Sequence, residues 1–226
     1  DNIYSVKAME RALRETKGDG KIYQVIGGRV CQPWDKFLTV GVNKSTFNAF
    51  LSEHLEMVVP VKLRNTPTRS YFIAEGFTDG KVTRVLTCEG AASGPDVMST
   101  QEEGDTRIIL HMQHTNDAFK RAKRGQGTII IRAHDTDIVI LCTRYFPLLS
   151  HIKHLWSAAG YLGKNYQWIP VHELCVALRP DFIEALPVIH ALSGCDSTSS
   201  FYYIGKSTVY DIAKNDPTVV ELLALK

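Results

Sequence analysis

The sequence lacks any apolar run close to the roughly 20 residues that a membrane-spanning helix needs. Its longest apolar stretches, residues 129–131 and 138–142, are interrupted by Asp135 and Asp137. No basic, apolar leader opens the chain, and Asp1 stands where an initiator Met would be. We therefore expect an intracellular protein, nuclear or cytoplasmic, with no membrane partner, and we expect this chain to be a fragment of a longer one.

Paired cysteines are missing as well. The five cysteines are odd in number, widely spaced and never form a Cys-x-x-Cys motif, which argues against a zinc finger and a disulfide framework. We find no internal repeat, no Walker loop and no dinucleotide-binding glycine pattern. The net charge of +2 neither demands nor excludes a nucleic-acid partner, so charge has to be judged locally.

Hydrophobic periodicity in the second half predicts alternating strands and helices, which is typical of a parallel sheet with crossover helices. We predict helices at about residues 4–16, 44–57, 99–124, 172–178, 181–192, 206–214 and 217–224. We predict strands at 22–26, 70–74, 82–88, 128–132, 155–159 and 166–171, with 138–142 as a further strand or a buried turn. Pro180 and Pro217 fit the starts of helices. One domain, 1–226, is the simpler prediction, with 1–95 as a less regular flank and 96–226 as the core.

Three acidic groups lie where predicted elements meet. They are Glu103 with Asp105 at the start of the long helix, Asp135 with Asp137 after the strand at 128–132, and Asp196 after an apolar helix. Because alternate side chains of an extended segment point the same way, Asp135 and Asp137 should face one side, beyond the carboxyl end of a strand. Crowded carboxylates repel unless a cation neutralises them, and hard oxygen ligands select Mg²⁺ or Mn²⁺. Two such ions can activate water and stabilise the leaving oxygen in phosphodiester hydrolysis.

Each acidic group also has a plainer interpretation. Glu102 completes a capping box, which explains its presence fully. The Asp135–Asp137 pair could be turn residues, and Asp196 taken alone is better explained as an N-cap. Glu103 and Asp105 lie on different helical faces, so both reach one cation only if the helix end points at it.

The basic residues carry weaker signals. Lys120 and Lys123 belong to a basic run at a helix end, where solvated surface is the plain explanation and phosphate contact is the alternative. Arg107 is one helical step from Glu103, so a local ion pair accounts for it.

The histidine, cysteine and tyrosine groups are also open to a structural interpretation. His111 and His114 have no third ligand at a useful spacing, so we interpret them as helix surface or packing. Cys195 near His190 indicates a thiol protease only with an orienting partner, and the sequence offers none, so a half-buried structural cysteine is the better interpretation. The pair Tyr202-Tyr203 could stack on bases, but aromatic residues before a turn are more often packed against the protein.

The stretch from about residue 99 to 214 resembles the PIN-like superfamily, specifically its flap-endonuclease and 5′-exonuclease branch. In that branch an acidic motif opens a helix, Asp-x-Asp follows the next strand, and Gly-x-Asp ends a later helix. The matching stretches are Gln101 to Arg107, Asp135 to Asp137, and Leu192 to Asp196. Residues 203–206 (Tyr-Ile-Gly-Lys) are similar to a shortened form of the turn by which those nucleases grip a duplex backbone. The chain is also similar to a group of animal-genome proteins with Glu-Glu-x-Asp-Thr-Arg and Asp-Thr-Asp motifs.

This resemblance implies a three-layer α/β fold, with a mainly parallel central sheet flanked by helices. It implies a divalent-metal-dependent nuclease that uses two Mg²⁺ or Mn²⁺ ions on nucleic acid, DNA in preference to RNA. The residues implied as catalytic and metal-binding are Glu103, Asp105, Asp135, Asp137 and Asp196. The candidate nucleic-acid contacts are Arg107, Lys120, Lys123, Gly205 and Lys206. Family members carry further metal-binding aspartates on two strands before the position of Asp1, so the fragment is expected to lack its first strands.

Two other functions stay open. A PIN-like scaffold without turnover would act as a nucleic-acid-binding or protein-interaction module, because a fold does not fix a function. A protein-binding α/β module of mobile-element origin is the third. Acidic residues at the ends of two strands upstream of Asp1 would favour the enzyme, whereas apolar or basic residues there would favour the scaffold.

Overall fold

The computed structural model describes residues 21–28, 33–74, 76–77, 82–99, 104–123, 125–133, 135–161, 164–195 and 198–224. The chain divides into two compact units, Asp1–Glu102 and Glu103–Lys226. The described residues form helices and two small sheets. The predicted α/β class is therefore confirmed as a mixture of helices and strands. The predicted helix at 4–16 and the acidic residues Glu102, Glu103 and Asp196 lie outside the described residues. No helix in the described ranges is long and apolar enough to cross a bilayer.

The first unit combines two helices with a small antiparallel sheet. Its elements are α1 (Trp34–Thr39), α2 (Gly41–Leu63), β1 (Tyr71–Ile73), β2 (Arg84–Thr87) and β3 (Gly90–Ser93). The strands follow the order β1-β2-β3, and each pairs antiparallel with its neighbour. The predicted strands at 70–74 and 82–88 are therefore confirmed, and the predicted helix at 44–57 is part of the longer α2.

The predicted strand at 22–26 is wrong, because these residues have no regular secondary structure. The fully buried side chain of Asn43, on α2, takes the place of a neighbouring strand. Its Oδ1 accepts the backbone N–H of Tyr23 at 2.8 Å, and its Nδ2 donates to the carbonyl oxygen of Lys21 at 2.9 Å. A side-chain amide thus satisfies backbone groups that a ladder would otherwise pair.

The second unit wraps helices around a three-stranded sheet. Its elements are α3 (Gly104–Arg121), β4 (Gly127–Arg132), α4 (Thr136–Tyr145), β5 (Ile152–Tyr161), β6 (Lys164–Pro170), α5 (Val171–Ala177), α6 (Pro180–Leu192), α7 (Lys206–Asn215) and α8 (Pro217–Leu223). Most of the predicted elements are confirmed within a few residues, and Pro180 and Pro217 do stand in the first turns of α6 and α8.

The strand directions differ from the mainly parallel sheet that we expected. In the order β4-β5-β6, β5 pairs parallel with β4 and antiparallel with β6. The reason is the length of the connections. α4 carries the chain back between β4 and β5, whereas only residues 162–163 separate β5 from β6, and so short a link permits a hairpin alone.

The prediction of a strand or buried turn at 138–142 is also wrong, because these residues lie inside α4. Ile138, Val139 and Cys142 are buried, which is the i, i+1, i+4 spacing of one helical face. A short apolar run does not by itself distinguish a strand from a buried helix. The side chain of Asp135 caps α4 at its N-terminus, and this cap favours a helix over a strand for the run at 138–142.

Two apolar clusters hold the second unit together. One lies between the sheet, α3 and α4, and its buried members are Met112, Ile131, Ile138, Cys142, Leu149, Ile152, Leu155 and Val171. The other joins α6 to α7 and α8, and its buried members are Phe182, Ala185, Leu186, Ile189, Ala213 and Val220. The first cluster fixes the carboxyl end of β4 against α3 and α4, and the second fixes α6.

Candidate metal centre

Asp135 stands beyond the carboxyl end of β4, as predicted, and it caps α4. Its Oδ1 accepts the backbone N–H of Asp137 at 3.0 Å, and the side chain is exposed to solvent. Asp135 is therefore a helix N-cap and not the turn residue of the plainer interpretation, and one of its oxygens has a role in the fold. Its second oxygen has no partner among the described residues and stays available to a ligand.

Asp137 lies in the first turn of α4 and contacts a different helix. Its Oδ1 is 2.7 Å from Nε2 of His190, and the side chains of Asp137 and His190 are only 22% and 11% exposed. Because a carboxylate can only accept, the imidazole N–H donates. The two aspartates are thus an N-cap and a first-turn residue, and the prediction that they share one face of an extended segment is wrong.

The partner of Asp137 belongs to the last turn of α6, the helix that precedes Asp196. After it, Gly194 turns the chain, and Cys195 and Thr198 pair with each other through both backbone hydrogen bonds, at 3.0 and 3.2 Å. The Thr198 hydroxyl also donates to the carbonyl oxygen of Ala191 at 2.6 Å. Asp196 itself lies outside the described residues, but the residues on both sides of it are tied to the end of α6.

The turn that allows these hydrogen bonds requires glycine at position 194. The φ of Gly194 is +92°, and a Cβ there would lie 2.9 Å from Cβ and 3.1 Å from N of Ser200. Both the left-handed backbone and the close approach of Ser200 favour glycine.

We expect Gly194→Ala to lower the free energy of unfolding by about 1–3 kcal/mol, because the new methyl group strains the backbone and displaces Ser200. Urea denaturation followed by circular dichroism measures the change. Gly125→Ala is the matched control, because a Cβ at Gly125 meets nothing within 4 Å. Equal stability of the two variants would contradict the close packing of this turn.

The direction of α3 relative to β4 follows from the contacts that the last turns of α3 make. Oδ1 of Asn116 accepts the N–H of His151 at 2.8 Å, and the carbonyl oxygen of His151 accepts the N–H of Gly127 at 2.8 Å. A Cβ on Gly127 would meet the ring of Phe119 at 2.6 Å. The end of α3 therefore packs on the start of β4, so α3 runs antiparallel to β4 and its first turn extends toward the carboxyl end of that strand.

Asp105 and Asp137 consequently lie at similar heights along the axes of α3 and α4. Sδ of Met112 is 3.9 Å from Sγ of Cys142, which sets the register between α3 and α4. At 1.5 Å per residue, Asp105 is about 10 Å along α3 from Met112, and Asp137 is about 8 Å along α4 from Cys142. Asp105 is half-buried. The first turns of α3 and α4 thus lie toward the same end of the sheet, and the contact of Asp137 with His190 brings the last turn of α6 to the start of α4. Glu103 lies outside the described residues.

Within the residues that the structure describes, no group of three or more His, Cys, Asp and Glu side chains is arranged to hold a metal ion. The three described candidates, Asp105, Asp135 and Asp137, are therefore not gathered into one metal-binding group. Glu103 and Asp196 complete the predicted set, and both fall outside the ranges described.

The candidate nucleic-acid contacts are spread over the second unit. Lys120 and Lys123 are exposed at the far end of α3, about 22 Å or more from Asp105 along the helix. Gly205 and Lys206 are exposed at the start of α7. Only a strand several nucleotides long could contact the acidic edge and Lys120 together.

Arg107 is nearer to the acidic edge, because it is in the first turns of α3 and is half-buried. Burial lowers the pKa of His111 from its ordinary value, and the positive charges of His114 and Arg107 lower it further.

The two tyrosines before α7, which we expected to pack against the protein, are exposed instead. Tyr202 and Tyr203 are 84% and 89% exposed, and their ring centroids are 4.0 Å apart. Tyr203 also has a positive φ of 59°. The interpretation of these residues as packed aromatics is wrong.

The thiol of Cys142 is buried and that of Cys175 is half-buried. Burial raises the pKa of Cys142 to about 12, with a further contribution from Cys175, and burial raises the pKa of Cys175 to about 11. Both therefore stay protonated at neutral pH and unreactive. Cys195 is half-buried, as we interpreted it, and its Sγ lies 3.2 Å from the hydroxyl of Thr198.

Sequence reasoning missed His190, which we considered only as a partner for Cys195. The signal that could have identified it is a histidine in the last turn of a helix that runs into an acidic motif. Its partner, Asp137, is 53 residues away, so no local pattern connects them.

In comparisons with known proteins, no family model, no curated protein and no solved structure matches the chain.

Proposed function

We propose that this chain carries metal-binding acids of a divalent-cation-dependent nuclease that hydrolyses phosphodiester bonds in nucleic acid, DNA in preference to RNA. The observation that carries the proposal is the 2.7 Å contact between Asp137 and His190. It joins the acidic edge after β4 to the end of the helix that leads into Asp196. This contact brings together Asp137 and the last turn of α6, which are 53 residues apart in the sequence.

The donor set fits a hard cation. Asp135 and Asp137 each use one carboxylate oxygen in the fold and keep the second without a partner among the described residues. Asp105 starts the neighbouring helix at the same edge. Oxygen donors of this kind suit Mg²⁺ or Mn²⁺, and Glu103 and Asp196 are the further ligands in this proposal.

Bound as a pair, the two ions would supply an activated water and the positive charge that offsets the phosphate. The chain's own residues hold carboxylate oxygens at fixed positions. The α4 N-cap fixes Asp135, and the contact with α6 fixes Asp137. Arg107 would contact a phosphate close to this edge, and Gly205 with Lys206 would contact the backbone of the nucleic acid further away.

The fold that we propose is the three-layer PIN-like one. The β4–α4–β5 crossover supports this assignment, because it is the parallel unit of such a sheet and it carries the acidic motif at its carboxyl end. The antiparallel β6 is compatible with an additional strand at one edge of a mixed sheet.

A binding scaffold without turnover is the second candidate. The observation that favours it is that Asp135 and Asp137 already have structural partners, so both residues could be retained for stability alone. The exposed pair Tyr202-Tyr203 would suit a binding module equally well.

Removal of the metal tests the enzyme directly. The entire gene product with Mn²⁺ should cleave end-labelled single-stranded, duplex or flap DNA, and excess EDTA should lower the rate at least about 100-fold, because the cation supplies both the nucleophile and charge neutralisation. Fresh Mn²⁺ should restore cleavage, which controls for loss of protein. Binding without cleavage in a gel-shift assay would favour the scaffold, and cleavage that survives EDTA would exclude a metal mechanism.

A further inference from the structure

The side chain of His190 links the end of α6 to Asp137, an acidic residue of the candidate metal centre. It is largely buried, and it donates through Nε2 to Oδ1 of Asp137 at 2.7 Å. A distance this short is typical of a charge-assisted hydrogen bond, which is stronger than a neutral one. The packing of α6 on α7 and α8 is provided by a separate apolar cluster.

We infer that His190 is a positioning residue for Asp137, and this inference rests on the proposed nuclease function. The carboxylate of an aspartate rotates over a broad range about its last torsion. The hydrogen bond from His190 fixes one oxygen, which sets the carboxylate plane and leaves the other oxygen, Oδ2, for the cation. Outer hydrogen bonds of this kind orient metal ligands and raise their affinity for the ion.

The two aspartates are also connected through the backbone. Oδ1 of Asp135 accepts the backbone N–H of Asp137, and Oδ1 of Asp137 accepts the ring Nε2–H of His190. One chain of hydrogen bonds thus runs from the last turn of α6 to the residue just after β4. A change at His190 should consequently alter cation binding at both carboxylates and not only the stability of α6.

Mn²⁺ titration of the entire gene product by calorimetry tests this role, with three histidine variants. His190→Phe keeps the ring and removes the donor, so the affinity for Mn²⁺ should fall about 10–100-fold. His190→Gln places an amide N–H near the position of Nε2, so most of the affinity should return. His151→Gln is the matched control, because His151 precedes β5 at the opposite end of the sheet and its side chain contacts Ser150.

The possible results separate the inference from the function on which it rests. Weakened binding by His190→Phe with recovery by His190→Gln supports the positioning role. Equal affinity of wild type and His190→Phe overturns the role and leaves the nuclease proposal standing. No Mn²⁺ binding by the wild type overturns both.

A measurement on the wild type avoids any question of whether a variant folds. Long-range ¹⁵N–¹H correlation spectra of the histidine rings report which ring nitrogen carries a proton. We expect His190 to carry one on Nε2, without Mg²⁺ and with it, because Oδ1 of Asp137 can only accept. A deprotonated Nε2 that shifts on addition of Mg²⁺ would make His190 a ligand itself and would overturn the positioning role.

Discussion

Replacing Asp135 and Asp137 together by asparagine should abolish Mn²⁺ binding and lower the rate of DNA cleavage by at least about 100-fold, the upper end of what changes outside the ligand shell cost. The substitution removes two negative charges and the oxygens that a hard cation prefers. The measurements are calorimetric titration with Mn²⁺ and cleavage of labelled DNA at saturating metal.

The double variant should keep its fold, which makes it a sharp test. Asparagine is as good an N-cap as aspartate, so α4 keeps its start. The amide oxygen at position 137 can still accept from His190. Asp216→Asn is the matched control, because Asp216 caps α8 through the N–H of Thr218 at 3.0 Å and belongs to no acidic motif. Unchanged affinity and rate in the double variant would remove the proposed metal centre.

Leu155→Ala should lower the free energy of unfolding by about 2–5 kcal/mol, the range for large-to-small changes in well-packed cores. Leu155 has no solvent exposure and lies on β5, the central strand of the second sheet. It belongs to the cluster that joins the sheet to α3 and α4. Its removal leaves a cavity that neighbours on three elements cannot close, and urea denaturation of the two proteins measures the difference.

Leu222→Ala provides the control for this prediction. Leu222→Ala is the same chemical change, made on α8, but the side chain of Leu222 is 81% exposed. The loss there should stay within about 0.5 kcal/mol, as for most surface substitutions. A Leu155 variant that is destabilised no more than the Leu222 variant would contradict the position of the core.

Much of the second unit could be predicted from the sequence, because local signals agree with the tertiary structure. The β-branched run at 128–132 forms β4, and Pro180 and Pro217 mark the starts of α6 and α8. These signals depend on backbone geometry within a few residues.

The errors have long-range causes. The run at 138–142 is compatible with a strand or a helix until the cap at Asp135 is considered. The segment at 22–26 finds its partner in Asn43, about twenty positions away, instead of in a strand. His190 was interpreted through its neighbour Cys195, although its contact is with Asp137.

The parallel course of α3 and α4 has an electrostatic consequence. Each helix start concentrates about half a positive elementary charge at its first N–H groups. Two starts at one edge add to about one positive charge close to Asp105 and Asp137. The backbone itself therefore offsets part of the repulsion among the acids, so these carboxylates can lie at helix starts without a bound cation.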